Sequence, residues 1–270
     1  MTPMPIETAI PIQLLDQESF HQIDRVVTGF AFDIHNEFGR YLDEKLYQHE
    51  LTRRCREHGF EVEPELRMTA RFGDFSKEYY ADHLINRGVI VEDKAVAALT
   101  TAHRGQTLNY LYLCGLQHAT LLNFRSERVQ HEFVSTRLTP ARRRQFEFLT
   151  VEWRPLTNRC HALIDILHSL LNEWGAFLDP VLYRDAVTFF LGGQEQIVRE
   201  VSFIVEGAAV GSQLMHLLTS DVAFSISAST RRPDLTQDHQ RRFLRHTPLR
   251  AIQWINFNHQ SIELRTITKS

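Results

Sequence analysis

An internal repeat is the feature that most constrains the fold of this 270-residue chain. Residues 36–48 read NEFGRYLDEKLYQ and residues 172–184 read NEWGAFLDPVLYR, so seven of thirteen positions are identical. Two later segments recur in the same order, LTTAHRGQTL at 99–108 with LTQDHQRRFL at 235–244 and ATLLNF at 119–124 with AIQWINF at 251–257. An ordered recurrence over this distance predicts that one structural unit is present twice.

Each half is predicted to be an α/β unit. Apolar residues with helical spacing precede Gly39 and Gly175, which favours a helix that ends at each glycine. A second helix is then expected to begin near Asp43 or Asp179, since aspartate suits the N-cap position. Apolar or alternating stretches predict three strands in each half, at 62–72, 79–85 and 89–91 and at 197–205, 213–218 and 222–226. A helix, a strand and a last strand complete each unit, giving a mixed sheet flanked by helices, duplicated in tandem.

The predicted domain boundaries follow from the repeat. Residues 1–137 form the first domain and residues 159–270 the second. Residues 138–158 are interpreted as a connecting segment, because they contain three consecutive arginines and Pro155. A structured stretch at Phe146–Trp153 remains an alternative within that segment.

Composition limits the class of protein. The formal net charge is −3, so no overall basic field draws the chain to nucleic acid, and any such binding must use local basic patches. The three cysteines lie far apart without a CxxC pair, which argues against a disulfide framework or a zinc knuckle and fits a reducing cytosol. The first twenty residues lack the pattern of a signal peptide, and no apolar run is long enough for a membrane span. We therefore expect a cytoplasmic protein with no membrane partner.

Candidate chemistry lies in an acidic residue followed by a turn and an E-x-K string. Asp82 precedes the turn Asn86-Arg87-Gly88, and Glu92-Asp93-Lys94 follows the apolar stretch 89–91. Since side chains alternate along a strand, Glu92 and Lys94 share a face and Asp93 does not. Two carboxylates there can hold Mg²⁺ or Mn²⁺, with the backbone carbonyl of Asp93 as a further ligand. Lys94 would orient the attacking water, help to deprotonate it, or neutralise charge on the phosphate. The competing interpretation is that charged residues end a strand for solubility alone.

Five motifs in order give a resemblance to a known family. They are Gly39-x-x-Leu42-x-Glu44-x-x-Tyr47, Ala81-Asp82-His83-Leu84, Val91-Glu92-Asp93-Lys94-Ala95, Gln106-x-Leu108-Asn109-Tyr110-Leu111 and Leu121-Leu122-Asn123-Phe124. Over about residues 22–135 the sequence resembles the GxxExxY proteins of the PD-(D/E)XK nuclease superfamily. The resemblance implies the restriction-endonuclease-like fold and implies that Glu44 reaches the metal site from its helix. It also implies that Gln106 and Tyr110 line the substrate groove, as the Q-x-x-x-Y pattern does in RecB-type nucleases. The chain departs from the family at Tyr80, where many members have arginine, and at Arg40-Tyr41, where G-P-G-L is common.

Each of these residues also has a structural interpretation. Glu44 suits the first turn of a helix because of the helix dipole. Gln106 could be an ordinary solvated helix residue. Tyr47 and His103 are expected to be structural, since Tyr183 and His239 stand at the matching positions of the second half.

The second half has lost the candidate catalytic groups. Aligning the halves places the following pairs opposite one another: Glu44 and Pro180, Asp82 and Met215, Glu92 and Ser225, Lys94 and Ser227, and Gln106 and Arg242. Packing and turn residues persist, which predicts a pseudo-nuclease repeat. The second half also carries five arginines that could contact phosphates or could simply form a solvated helix face, namely Arg231, Arg232, Arg241, Arg242 and Arg245.

Two functional hypotheses follow. The first is a Mg²⁺- or Mn²⁺-dependent nuclease, with DNA expected over RNA, in which Glu44, Asp82, Glu92 and Lys94 are catalytic. The metal would be held by the first three and Asp93, and the chain would act as a monomeric pseudo-dimer or a homodimer. The alternative is a non-catalytic nucleic-acid-binding or scaffold protein derived from a nuclease, suggested by the acidic net charge and the degenerate half.

Overall fold

The computed structural model of the protein describes residues 5–230 and 232–269, so Arg231 lies outside the described residues. The chain divides after Thr139 into two compact units. Each unit contains a six-stranded mixed sheet and helices, as the predicted α/β class requires. Within the described ranges, every helix is too short or too polar to cross a bilayer.

The first unit has three helices and six strands among its described residues. In chain order these are β1 (Ile6–Thr8), α1 (Gln17–Phe38), α2 (Glu44–Glu57), β2 (Val62–Phe72), β3 (Phe75–Ile85), β4 (Val89–Lys94), α3 (Thr101–Cys114), β5 (His118–Asn123) and β6 (Gln130–Ser135). The strands lie in sequence order across the sheet. All neighbours are antiparallel except β4 and β5, which are parallel.

The second unit repeats this arrangement with additions. Its described elements are α4 (Pro140–Arg143), β7 (Glu147–Glu152), α5 (Asn158–Trp174), α6 (Pro180–Phe190), α7 (Gln194–Ile197), β8 (Val198–Val205), β9 (Ala208–Thr219), β10 (Val222–Ser227), α8 (Pro233–Arg245), β11 (Ala251–Asn258) and β12 (Ser261–Thr268). The sheet order is β7-β12-β11-β10-β9-β8. From β8 to β12 the pairings match those from β2 to β6, including a parallel pair in the middle.

The predicted succession of two helices, three strands, a helix and two strands is present in both units. Two edge strands were not predicted. Strand β1 adds to β2 in the first unit, whereas β7 adds to β12 in the second, so the extra strands occupy opposite edges. The segment 138–158, interpreted from sequence as a connection, contains α4 and β7, and its Phe146–Trp153 stretch is largely strand.

The helix ends follow from individual residues. The Asp16 side chain accepts a hydrogen bond from the Ser19 backbone N at 2.7 Å and caps α1. Gly39 ends this helix with φ +73°, and Gly175 ends α5 with φ +77°, a conformation that L side chains rarely adopt. Asp179 caps α6 by accepting from Val181 N at 2.9 Å. Asp43 holds the N-cap position of α2 without a side-chain bond to the backbone.

Tyr47 and Tyr183 have matching structural roles in the two units. Both are fully buried, and each hydroxyl donates to the carbonyl of the glycine that ends the preceding helix, Gly39 or Gly175. Tyr47 stacks on Phe124 with ring centroids 4.4 Å apart, and Tyr183 lies 4.7 Å from Phe257. The structural interpretation of Tyr47 is therefore confirmed.

One buried carboxylate fixes α1 to the sheet. Asp24 is 7% exposed and accepts hydrogen bonds from the Thr120 hydroxyl on β5 at 2.5 Å and the His131 ring on β6 at 3.2 Å. Burial alone would raise the pKa of Asp24, but the bonds from His131 and Thr120 outweigh it and lower this pKa. The bond to Asp24 raises the pKa of His131 despite its burial. The stabilising pair is thus an ionised Asp24 with a protonated His131.

We predict that Asp24→Asn lowers the free energy of unfolding by about 1–3 kcal/mol, because it weakens hydrogen bonds to a charged group. Ionised Asp24 adds to the free energy of unfolding at pH values above its unfolded pKa of about 3.9. This stabilisation is lost as the pH falls through the lower pKa of the folded state. Protonated His131 adds to the free energy of unfolding at pH values below its unfolded pKa of about 6.5. This stabilisation is lost as the pH rises through the higher pKa of the folded state. In denaturant titrations, the difference in free energy of unfolding between the wild type and Asp24→Asn should be largest near pH 5.5 and smaller above pH 8. Asp33→Asn, on the exposed face of α1, is the control and should change little; equal losses in both variants would contradict the assignment.

Candidate active site

The strands β3 and β4 separate where the candidate acids begin. Their ladder extends from Ile85 and Val89 to His83 and Val91. Beyond it, the Asp82 side chain takes the place of a backbone partner, since its Oδ2 accepts from the Asp93 backbone N at 2.9 Å. The carboxylate of Asp82 is thereby held beside the end of β4.

Glu92 and Lys94 lie on one face of β4, as the alternation predicts. Lys94 Nζ is 2.5 Å from Glu92 Oε1, and the Glu92 residue is 1% exposed. The other oxygen, Glu92 Oε2, lies 3.5 Å from the Asp82 backbone N, at the limit of a hydrogen bond. The two carboxylates and the ammonium group therefore occupy the same end of the strand.

Glu44 reaches the same end of β4 from a different element. It is the first residue of α2, and its Oε2 accepts from the Ala95 backbone N at 3.0 Å, directly after the strand. Acidic side chains from three segments of the chain thus lie at the end of β4.

The electrostatics of the cluster reflect its burial. Burial raises the pKa of Asp82, and the charge of Asp93 raises it further. Burial and the charge of Asp82 likewise raise the pKa of Glu92, more than Lys94 lowers it. Burial lowers the pKa of Lys94, but Glu92, Asp82 and Glu44 outweigh this and raise it. The carboxyl groups therefore hold their protons more tightly than in water, and the lysine is held in its charged form.

Gln106 and Tyr110 lie on consecutive turns of α3, and Gln106 Nε2 donates to Tyr110 Oη at 2.8 Å. Tyr110 is 6% exposed, whereas Gln106 is exposed. Burial, and then the charges of Glu92 and Asp82, raise the pKa of Tyr110. This helix therefore presents a neutral hydroxyl and an amide near the acids. His103 has a structural role at the start of α3, where its ring accepts from the Thr100 backbone N.

Asp93 faces away from the other acids. Its Oδ2 lies 2.8 Å from His83 Nε2, and His83 Nδ1 lies 3.2 Å from the Thr52 hydroxyl of α2. Burial lowers the pKa of His83, but the charge of Asp93 raises it overall. Asp93 Oδ1 is buried without a hydrogen-bond partner in the described part of the chain. Since Asp93 lies diagonally across from His83 on the neighbouring strand, the cross-strand spacing could have predicted this pair, but our sequence analysis did not.

The cluster does not form a complete set of metal ligands in this structure. Within residues 5–230 and 232–269, no three His, Cys, Asp or Glu side chains are placed to hold one ion. In this arrangement one oxygen each of Asp82, Glu92 and Glu44 is engaged by Asp93 N, Lys94 Nζ or Ala95 N. The chemistry of the groups nevertheless fits a hard divalent cation, since all three are carboxylates, whose oxygens are the ligands that such an ion prefers.

Among the described residues of the second unit, the positions that match Asp82, Glu92 and Lys94 carry no charged side chain. His216 faces Phe224 in the same register as His83 and Val91, which places Met215 at the position of Asp82. The hydroxyl groups of Ser225 and Ser227 accept from Gln240 at 3.3 Å and from the Trp254 indole N at 2.8 Å, respectively.

One scaffold contact is kept in both units. Asn123 Oδ1 accepts from Val96 N at 3.0 Å, and Asn256 Oδ1 accepts from Ser229 N at 2.7 Å. These asparagines stand at the same position of the parallel strand pair in each sheet, opposite Lys94 and Ser227. The backbone arrangement at the end of the central strand is therefore retained although the acids are not.

The arginines of the second unit are partly neutralised. Arg232 pairs with Asp234 at 3.7 Å, and Arg241 pairs with Asp238 at 3.3 Å. Arg231 lies outside the described residues. The predicted phosphate-binding face is thus weaker than the count of arginines suggests.

A comparison with known proteins gives a match within the first unit. No curated protein and no solved structure is significantly similar to the chain. The family model of the PD-(D/E)XK nuclease superfamily, however, matches residues 21–136, the part of the chain that contains Glu44, Asp82, Glu92 and Lys94.

Proposed function

We propose that the first unit is a divalent-metal-dependent nuclease of the GxxExxY type, with a restriction-endonuclease-like fold, that hydrolyses phosphodiester bonds of nucleic acid, with DNA as the expected substrate. The observation that carries this proposal is the meeting of Glu44, Asp82 and Glu92 beside Lys94 at the end of β4, inside the segment that matches the superfamily model. A solvated strand end would not bury Glu92 to 1% exposure.

The metal would be held by Asp82 and Glu92, with Glu44 as the third carboxylate and the Asp93 backbone carbonyl as a further oxygen. The Asp93 side chain contributes only indirectly, since its carboxylate is bonded to His83 on the opposite face. When bound, a divalent cation supplies Lewis acidity toward the phosphate and lowers the pKa of water.

Lys94 acts on the reacting groups directly. Its raised pKa keeps the ammonium group charged at neutral pH, so it stabilises negative charge that develops on the phosphate. Its contact with Glu92 fixes its position, and only 11% of the lysine side chain is exposed to solvent. Gln106 and Tyr110 donate hydrogen bonds and position the substrate from α3.

We further propose that the second unit is an inactive copy that arose by duplication. The same strand pairings, the paired Tyr47 and Tyr183 contacts, and the paired Asn123 and Asn256 contacts support it. A covalent pseudo-dimer would carry one site for cleavage and one surface for binding or structural support.

A non-catalytic nucleic-acid-binding protein is the second candidate. The observation that favours it is that no three acidic or histidine side chains in the described residues form a ready set of ligands. The two candidates differ in one outcome, which is whether the protein cleaves nucleic acid in any divalent metal.

We predict that Glu92→Gln and Lys94→Met each lower the rate of phosphodiester hydrolysis about 10²–10³-fold, the usual effect of removing one group that stabilises transition-state charge. Ser225→Ala and Ser227→Ala, at the matching positions of the second unit, are the controls and should retain full activity. The measurement is single-turnover cleavage of labelled single-stranded and duplex DNA and RNA in Mg²⁺ or Mn²⁺, with thermal unfolding to confirm folding. Folded first-unit variants that cleave at the wild-type rate would refute the catalytic assignment.

We also predict that Mg²⁺ raises the unfolding midpoint of the wild-type protein and that chelation abolishes cleavage. An ion that binds only the folded state adds about 2.7 kcal/mol at a hundred times its Kd. The increase should grow from mildly acidic to mildly alkaline pH, because protons compete for Asp82 and Glu92, whose pKa values are raised. The double variant Asp82→Asn/Glu92→Gln should lose the increase, whereas Asp33→Asn should keep it. An undiminished increase in the double variant would place the metal elsewhere.

A further inference from the structure

An open cleft of about 810 Å³ lies beside the candidate active site, just past the carboxyl ends of β4 and β5. Its walls come from the loop between α1 and α2, with Arg40 and Tyr41, and from the segment after β5, with Arg125 and Arg128. We propose that this arginine–tyrosine cleft (Arg40, Tyr41, Arg125 and Arg128) binds an unpaired strand of nucleic acid. The arginines contact backbone phosphates and Tyr41 stacks on a base. The proposal rests on the proposed function in taking nucleic acid as the ligand, and it adds the form of the substrate.

The described residues balance the positive charge of the cleft only in part. Six arginines of the first unit pair with carboxylates, namely Arg53, Arg54, Arg67, Arg71, Arg87 and Arg104. In the described residues, none of the ion pairs involves Arg40, Arg125 or Arg128. Glu127 is the one carboxylate among the residues that line the cleft, so the cleft keeps a net positive charge. Unpaired guanidinium groups around one opening attract a polyanion, and their planar donors suit phosphate oxygens.

Tyr41 supplies a surface for a base. The residue is 75% exposed, and its ring has the Arg40 guanidinium 5.2 Å from its centroid. Arg40 also donates to the Tyr41 hydroxyl at 3.1 Å, which holds the ring at the cleft. An exposed aromatic ring beside cationic side chains is the arrangement on which unpaired bases stack in single-strand-binding proteins. A base inside a duplex cannot reach such a ring, so this arrangement selects single-stranded or frayed segments.

The cleft is connected directly to the acid cluster. The Phe124 backbone N donates to the Lys94 carbonyl at 2.8 Å, which places the start of the Arg125 segment against the end of β4. Arg125 Nη2 lies 3.4 Å from the Leu42 carbonyl, two residues before Glu44. The cleft therefore borders the segments that carry Glu44 and Lys94.

The second unit serves as an internal comparison. Ala176, fully buried, stands at the position of Arg40, and Asn258 stands at the position of Arg125. The second unit thus lacks both the acids and these two arginines, although its strands pair in the same way. Phe177 matches the aromatic ring of Tyr41, so the difference between the two units lies in the cationic side chains.

The test measures binding in the full-length protein without cleavage, by fluorescence anisotropy in chelator. The probes are a short labelled oligothymidylate, an oligouridylate of equal length, and an abasic strand with the same number of phosphates. Tyr41→Ala should weaken binding of the base-containing strands about tenfold and leave the abasic strand unaffected. Arg128→Ala should weaken binding of all three and lower the slope of log K against log salt by about 0.7. Arg87→Ala, which removes the same charge at the opposite end of β4, is the control and should bind as the wild type does.

The possible results distinguish the proposed binding cleft from the proposed nuclease activity. If Tyr41→Ala and Arg128→Ala bind all strands normally, the proposed role of the cleft is wrong. It is also wrong if Arg87→Ala loses as much affinity as they do. Both conclusions hold even if the wild type cleaves nucleic acid. The predicted losses in a protein that cleaves no substrate in any metal support the cleft and overturn the nuclease. Equal affinity of the wild type for the abasic and base-containing strands contradicts stacking on Tyr41.

Discussion

Two neighbouring carboxylates at the end of a buried strand determine which side chains must pack on the two faces of the first sheet. Glu92 and Asp93 are both almost fully buried, and the alternation of a strand sends them to opposite faces of the sheet. A buried charge needs a partner, so each face must supply an ion-pair or hydrogen-bond partner. Lys94 contacts the Glu92 carboxylate on one face. On the other face His83, which also contacts Thr52, bonds to the Asp93 carboxylate. The packing of α2 against the sheet and the separation of β3 from β4 both accommodate these two pairs.

The same constraint explains how the second unit has matching strand pairings without matching acids at Met215, Ser225 and Ser227. Ser225 and Ser227 need only ordinary hydrogen bonds, which Gln240 and Trp254 provide, and Met215 needs none. Removing the acids therefore removes a desolvation cost. The first unit retains that cost, which gives a physical reason to expect that its acids serve a purpose other than stability. Their raised pKa values are the pattern that functional clusters share.

The sequence predicted most of the architecture because periodicity and glycine positions are local signals. The ends of α1 and α5 at Gly39 and Gly175 and the apolar run of β4 were all present in the pattern. The meeting of Asp82 and Glu92 followed from their places on adjacent strands. The short strands β1 and β7 were not predicted, because an edge strand is defined by its partner more than by its own residues. The arginine–tyrosine cleft was also missed, since it joins two loops that are far apart in the chain, and only the departure at Arg40-Tyr41 from the family pattern hinted at it.

Anomalous diffraction from crystals of the full-length protein soaked in Mn²⁺ tests the central claim most directly. The account predicts one strong manganese peak in the first unit, coordinated by oxygens of Asp82, Glu92 and Glu44, with Lys94 alongside. It predicts no peak between Pro180 and Ser225 in the second unit. A fully soaked crystal with no manganese at the end of β4, or with Lys94 still bonded to Glu92 and the three carboxylates apart, would contradict it.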